Sequence, residues 1–228
     1  AYLFPTSVPL SSWSRGVRHA MNKGDFMSVW QASVMRVADL NGFVDHMNNT
    51  MIDKMRGVGA SDVQGQRIIL GGEAAGTVNV TGEWDSVDAF AAAAEELEAD
   101  PGYGDLMQNF GVTLLRRSLM TMEVERGERT GAYSSGFYAR GPLRDQATLE
   151  ANADAVWANL SEGANGMAQL RITAGAEMTG VRILFQSGDS LDAILEASLK
   201  NLADPNIQAM MADQDITPIG RVLGKRLF

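Results

Sequence analysis

Four side chains in the first half of this 228-residue sequence carry groups suited to holding a small organic molecule: His46, Asn49, Trp84 and Tyr103. A site for such a molecule needs an apolar hollow with a few convergent polar groups. Trp84 and Tyr103 would supply aromatic walls, and His46 a candidate base or hydrogen-bond partner, with the Asn49 amide close along the same helix. The ordinary structural roles of these residues are an aromatic packed at a strand end and an imidazole at a helix edge. His46 and His19 are the only histidines and there is no cysteine. That removes disulfides, thiolate nucleophiles and Cys-based zinc or iron–sulfur ligation, and a multi-histidine metal centre with them. No metal and no other cofactor is expected.

The elements that must position these groups emerge from a repeat. Asp85-Ser86 recurs as Asp189-Ser190, Asp88-Ala89 as Asp192-Ala193, and Asp100-Pro101 as Asp204-Pro205, all at one ungapped offset of 104 positions. The same register pairs Asn48 with Asn152, Gly59-Ala60 with Gly163-Ala164, Gly76 with Gly180 and Leu119 with Leu223. Two copies follow, residues 26–124 and 130–228, behind an arm of residues 1–25.

Each copy parses by periodicity and punctuation. Residues 26–37 and 131–140 read as strands. Leu40, Phe43, Val44, Met47, Met51 and Met55 then fall at helical spacing, with Asp39 suited to the N-cap. Short strands over 62–70 and 77–84 flank the loop GGEAAG, and copy two has GAEMTG in its place. A phosphate-binding loop would need these glycines between a strand and a helix, so they read as hairpin turns. Ser86 and Ser190 cap two further helices, each ending at Asp-Pro, and apolar strands over 112–124 and 217–228 close the units. The order βαββαβ, twice, is the ferredoxin-like plan, an α+β class.

The run GTVNVTGEWDSVDAFAAAAEELEADPGYGDLMQNFG resembles the third strand, second helix and following turn of the dimeric α/β-barrel superfamily, which includes the antibiotic-biosynthesis-monooxygenase, NIPSNAP and EthD-like families. The resemblance extends over residues 26–228, once per copy. It implies two tandem ferredoxin-like repeats forming an intrachain barrel, with a pocket between helices and sheet. It also implies a cofactor-independent small-molecule binder or enzyme of monooxygenase or isomerase type. Haem-degrading members carry a Trp near the position of Trp84, an Asn on the first strand and a His beyond the second helix. Here the first strand offers Gln31 and Ser33, and residues 100–109 contain no His, so that route lacks its axial imidazole.

Three arginine pairs, Arg36/Arg140, Arg67/Arg171 and Arg117/Arg221, are kept in both copies on predicted strands. They fit salt bridges between repeats, with Glu73 and Glu177 as candidate partners, or an anionic ligand held in a polar cavity. By contrast His46, Asn49, Trp84 and Tyr103 stand where copy two has Glu150, Ala153, Gly188 and Ile207. The divergence places the expected pocket in copy one.

A net charge of -9 opposes binding to duplex nucleic acid or to an anionic membrane. With 45% hydrophobic and 21% charged residues and no spanning apolar run, the sequence reads as soluble and cytoplasmic. In the arm, Trp13, Val17 and Met21 fall on one face of a short helix capped by Ser11 or Ser12, suited to packing on its own domain or on a second subunit. Two function classes therefore fit: a small-molecule binder or enzyme with one specialised half, and a non-catalytic assembly protein whose pseudo-symmetric halves and arm build a homo-oligomer.

Overall fold

The computed structural model describes residues 28–228. The N-terminal helix expected around Trp13 lies outside them. Half one contains β1 (Val29–Val37), α1 (Leu40–His46), α2 (Ile52–Gly57), β2 (Asp62–Leu70), β3 (Val78–Trp84), α3 (Val87–Ala99), α4 (Pro101–Asn109) and β4 (Val112–Gly127). Half two contains β5 (Tyr133–Arg140), α5 (Gln146–Leu160), β6 (Gly166–Ala174), β7 (Arg182–Gly188), α6 (Leu191–Ala203), α7 (Pro205–Asp213) and β8 (Thr217–Arg226).

The eight strands close one antiparallel ring in the order β1-β3-β2-β8-β5-β7-β6-β4. Half one contributes the sheet β4-β1-β3-β2 and half two the equivalent β8-β5-β7-β6. The two seams are β2 with β8 and β4 with β6. They obey the repeat: Ile68 pairs with Gly224 in one, and Ile172 with Met120 in the other, each residue having its counterpart 104 positions away. Closure leaves the ring without a free edge.

Strand alternation sorts the apolar residues into three layers. Trp30, Ala32, Met120, Leu170 and Ile172 fill the ring. Met35, Val63, Val80 and Trp84 face outward against the half-one helices, where Phe43, Met47, Met51 and Leu106 complete a core. Val124, Met167 and Leu149 do the same in half two. Among the described residues no helix is long and apolar enough to cross a membrane.

Local chemistry explains where the elements differ from expectation. Asp100-Pro101 and Asp204-Pro205 do not merely end a helix. Each Asp side chain accepts from a backbone N–H two residues on, and each Pro occupies the first turn of a new helix, α4 or α7. The helix expected over 39–55 runs to Gly57, with a π-helical segment, Met47–Met51, between α1 and α2. Strand β5 starts two residues later than expected: Gly131 has φ +104°, outside the strand region, and lies so near the Gly188 backbone that a side chain there would collide with it. The hairpin glycines Gly76 and Gly180 have φ of 86° and 85°, as the turn reading requires.

Candidate functional site

A cavity of about 90 Å³ lies between the helices and the outward face of the half-one sheet. Its walls are largely thioether and aromatic: Met35, Met47, Met51, Met55, Met107 and Trp84. Methionine is flexible and polarisable, so such a lining adapts to the shape of an apolar guest. Two of these residues begin and end the π-helical segment, a distortion that recurs at functional sites. Polar atoms are few. Gln31 and Ser33 reach the cavity from β1 and are joined by a hydrogen bond of 2.6 Å from Gln31 Nε2 to Ser33 Oγ.

The rim carries a connected group. The Arg117 guanidinium donates to Glu98 Oε1 at 3.0 Å and to the Tyr103 hydroxyl at 3.0 Å. Burial opposes the Arg117 charge, but Glu98 and Tyr103 together outweigh it and hold its pKa above the ordinary value. The position of Arg117 depends on a β-bulge. Val34 pairs with Arg116 and Met35 with Leu114, leaving Leu115 as an extra residue in β4. Regular alternation would put Arg116 on the face of Leu114. The bulge sends Arg116 into the ring and brings Arg117 to the helix-side cavity.

Copy two repeats the device. Tyr138 pairs with Gly220 and Ala139 with Pro218, so Ile219 is the extra residue and Arg221 turns toward the helices. There a second cavity of about 90 Å³ lies in the equivalent place. Phe137, Leu184, Ile207, Met211 and Arg221 line it where Ser33, Val80, Tyr103, Met107 and Arg117 line the first. The expectation of one pocket, in copy one, is therefore corrected: the repeated scaffold builds a pocket in each half.

The structure brings together two of the four residues singled out by sequence. Trp84 is 1% exposed and tilts against Phe90 with ring centroids 5.8 Å apart. Tyr103 stands at the rim. His46 and Asn49 are not in the cavity lining. The helix turns His46 toward Phe110, ring centroids 5.5 Å apart, with its Nε2 buried and lacking a hydrogen-bond partner among the described residues. Asn49 is exposed on the π-helical segment. The titratable groups lining the first cavity are instead Glu98, Tyr103 and Arg117. Glu98 and Arg117 had a visible signal: Arg117 is one of the repeated arginines, and Glu98 differs in charge from its counterpart Leu202, 104 positions on.

The other arginine pairs resolve differently. Arg171 does not pair with the hairpin carboxylates. It meets Glu123 at 2.6 Å, while Arg182 reaches the other oxygen of Glu123 at 3.0 Å. Arg140 donates to the backbone carbonyl of Glu177 at 3.2 Å, not to its carboxylate. No group of three or more His, Asp or Glu side chains among the described residues is arranged to hold a metal ion.

An eight-stranded antiparallel ring with two βαββαβ halves, each carrying its helices outside, defines the dimeric α/β-barrel fold, here closed within one chain. Solved structures agree. A candidate monooxygenase from Lactobacillus acidophilus matches with a TM-score of 0.54 at 11% identity, over 89% of this chain and 95% of that one. A chlorite dismutase variant from Candidatus Nitrospira defluvii matches with a TM-score of 0.54 at 8% identity, over 87% and 90%. An anthrone oxidase-like protein matches with a TM-score of 0.50 at 12% identity, over 89% and 92%. At these identities the likeness shows the fold. No family model and no curated protein matches the sequence.

Proposed function

We propose that this protein binds a small, largely apolar organic molecule in the half-one cavity, without a cofactor, as a binder or enzyme of the monooxygenase or isomerase type. The observation that carries the reading is the cavity itself: a methionine and tryptophan lining with polar groups confined to Gln31 and Ser33 at one wall and Arg117, Tyr103 and Glu98 at the rim. Such a distribution suits a single-ring aromatic with one hydrogen-bonding substituent. The site has no imidazole in its lining, so a proton acceptor, if the ligand is turned over, is Glu98 or the ligand's own oxygen; the earlier candidate His46 would act only by moving.

The test uses 4-methylphenol and protein labelled at the methionine methyl carbons. Binding should shift the methyl resonances of Met35, Met47, Met51, Met55 and Met107, and Ala94→Phe, which fills the cavity from α3, should abolish the shifts. Shifts elsewhere alone, or binding unchanged by Ala94→Phe, would refute the assignment. Oxygen uptake measured with the same compound then separates an oxygenase from a binder.

A further inference from the structure

The two cavities share a scaffold but not a charge. In half one the Arg117 guanidinium is met by Glu98 and Tyr103. The residues 104 positions on from those partners are Leu202 and Ile207, both apolar and both in the lining of the half-two cavity. Arg221 is thus left without a carboxylate partner among the described residues. It donates to Ser135 Oγ at 3.2 Å and lies 5.2 Å from the Phe137 ring centroid. Neither contact neutralises it.

A second cation lines the same cavity. Arg182 is 7% exposed and uses its Nε on Glu123, leaving one terminal nitrogen buried with no hydrogen-bond partner among the described residues. Glu123 is already shared, accepting from Arg171 and Gln169 as well. One carboxylate therefore faces two guanidiniums, Arg171 and Arg182, and Arg221 adds a third positive charge. No Asp or Glu lines this cavity. An unspent buried donor and an unpaired cation are costly unless something satisfies them. The remaining wall combines apolar Val156, Leu184, Met210 and Ile216 with the uncharged polar side chains Asn152, Gln169, Ser198 and Asn201.

We infer that the half-two cavity is a binding site for a small organic carboxylate with an apolar body, its carboxylate held by Arg221 and Arg182. Guanidinium forks match carboxylate geometry, and the apolar part of the wall, with Leu184, Ile207, Met210, Met211 and Ile216, accommodates a ring or short chain. The site is separate from the one proposed in half one and takes a ligand whose polar end is anionic rather than neutral.

The experiment titrates the full chain, labelled at the methionine methyls, with benzoate, with benzamide as its neutral isostere, and with inorganic phosphate. Benzoate should shift Met210 and Met211 and leave the half-one methionines in place, so the outcome is independent of the half-one proposal. Benzamide should bind about tenfold more weakly or worse, as loss of a charge-assisted pair implies. Arg221→Met should weaken benzoate by a similar factor. Leu202→Glu should do so too, by giving Arg221 the partner that Arg117 has, whereas Leu202→Gln should retain binding; this pair keeps the test valid if Arg221→Met does not fold. Equal binding of benzamide, tighter binding of phosphate than benzoate, benzoate shifts confined to the half-one methionines, or no benzoate binding would each overturn the inference.

Discussion

Tyr103 accepts a hydrogen bond of 3.0 Å from Arg117, tying helix α4 to strand β4 across the rim of the half-one cavity. The bond holds an aromatic wall and a cation in fixed relation at the point where a ligand would enter. Tyr103→Phe keeps the wall and removes the bond. Expected is a stability change of about 1 kcal/mol or less, with weaker 4-methylphenol binding by a few-fold. Chemical denaturation and the methionine-methyl titration measure the two effects separately.

Glu123 sits between Arg171 and Arg182 on the seam where β4 joins β6, and all three side chains are nearly buried. Removing the carboxylate strands two guanidiniums away from water. Glu123→Ala should destabilise the protein by about 3–5 kcal/mol, read as a lower urea midpoint. Glu123→Gln, which keeps hydrogen-bond acceptance but not the charge, should fall between the two.

Asp100 and Asp204 cap α4 and α7, and both have pKa values below the ordinary 3.8. For Asp100 the largest cause is the hydrogen bond from Lys54, and for Asp204 the one from Asn159. A folded-state pKa below the unfolded one contributes stability that is present above the unfolded value and lost as pH falls through the folded one. The stability conferred by both caps should therefore decline below pH 3.8. In Asp100→Asn/Asp204→Asn the acid limb of the stability curve should be shallower than in the parent. An unchanged slope would show that the caps are not the titrating groups.

Arg129, in the connection between the halves, donates to Glu83 at 3.0 Å and Asp62 at 3.3 Å, contacts Glu125, and lies 4.4 Å from the Trp30 ring centroid. It pins the crossover to the half-one sheet. Arg129→Ala should cost about 2 kcal/mol, given charge-assisted hydrogen bonds and a cation–π contact. Differential scanning calorimetry checks it, and a shift in tryptophan emission should accompany the change at Trp30.

The repeat made the fold legible. An ungapped offset linking Asp85-Ser86 to Asp189-Ser190 implies a common core, and the hairpin glycines and Ser caps located its elements. The site was less legible. The helical spacing of Phe43, Met47 and Met51 already turns Met47 to the sheet, and one residue earlier on a helix is about 100° around it, so His46, singled out for its chemistry, lies off that face. A bulge shifts strand facing by one, and no residue type announces the extra Leu115 or Ile219. Alternation read straight through β4 would therefore place Arg116, not Arg117, at the helix-side cavity. Comparing copies exposed Trp84 and Tyr103 by their divergence. It passed over Glu98, whose counterpart Leu202 alters the charge of the second cavity.

Closure of the strand ring within a single polypeptide changes what heredity can do to it. In a barrel assembled from two identical chains, every substitution appears twice and must suit both pockets at once. Here Trp84 and Gly188, or Glu98 and Leu202, occupy matched places and are encoded separately. Each pocket can drift in polarity while its twin preserves the other chemistry, with the shared seams passing on only those changes that disturb the ring.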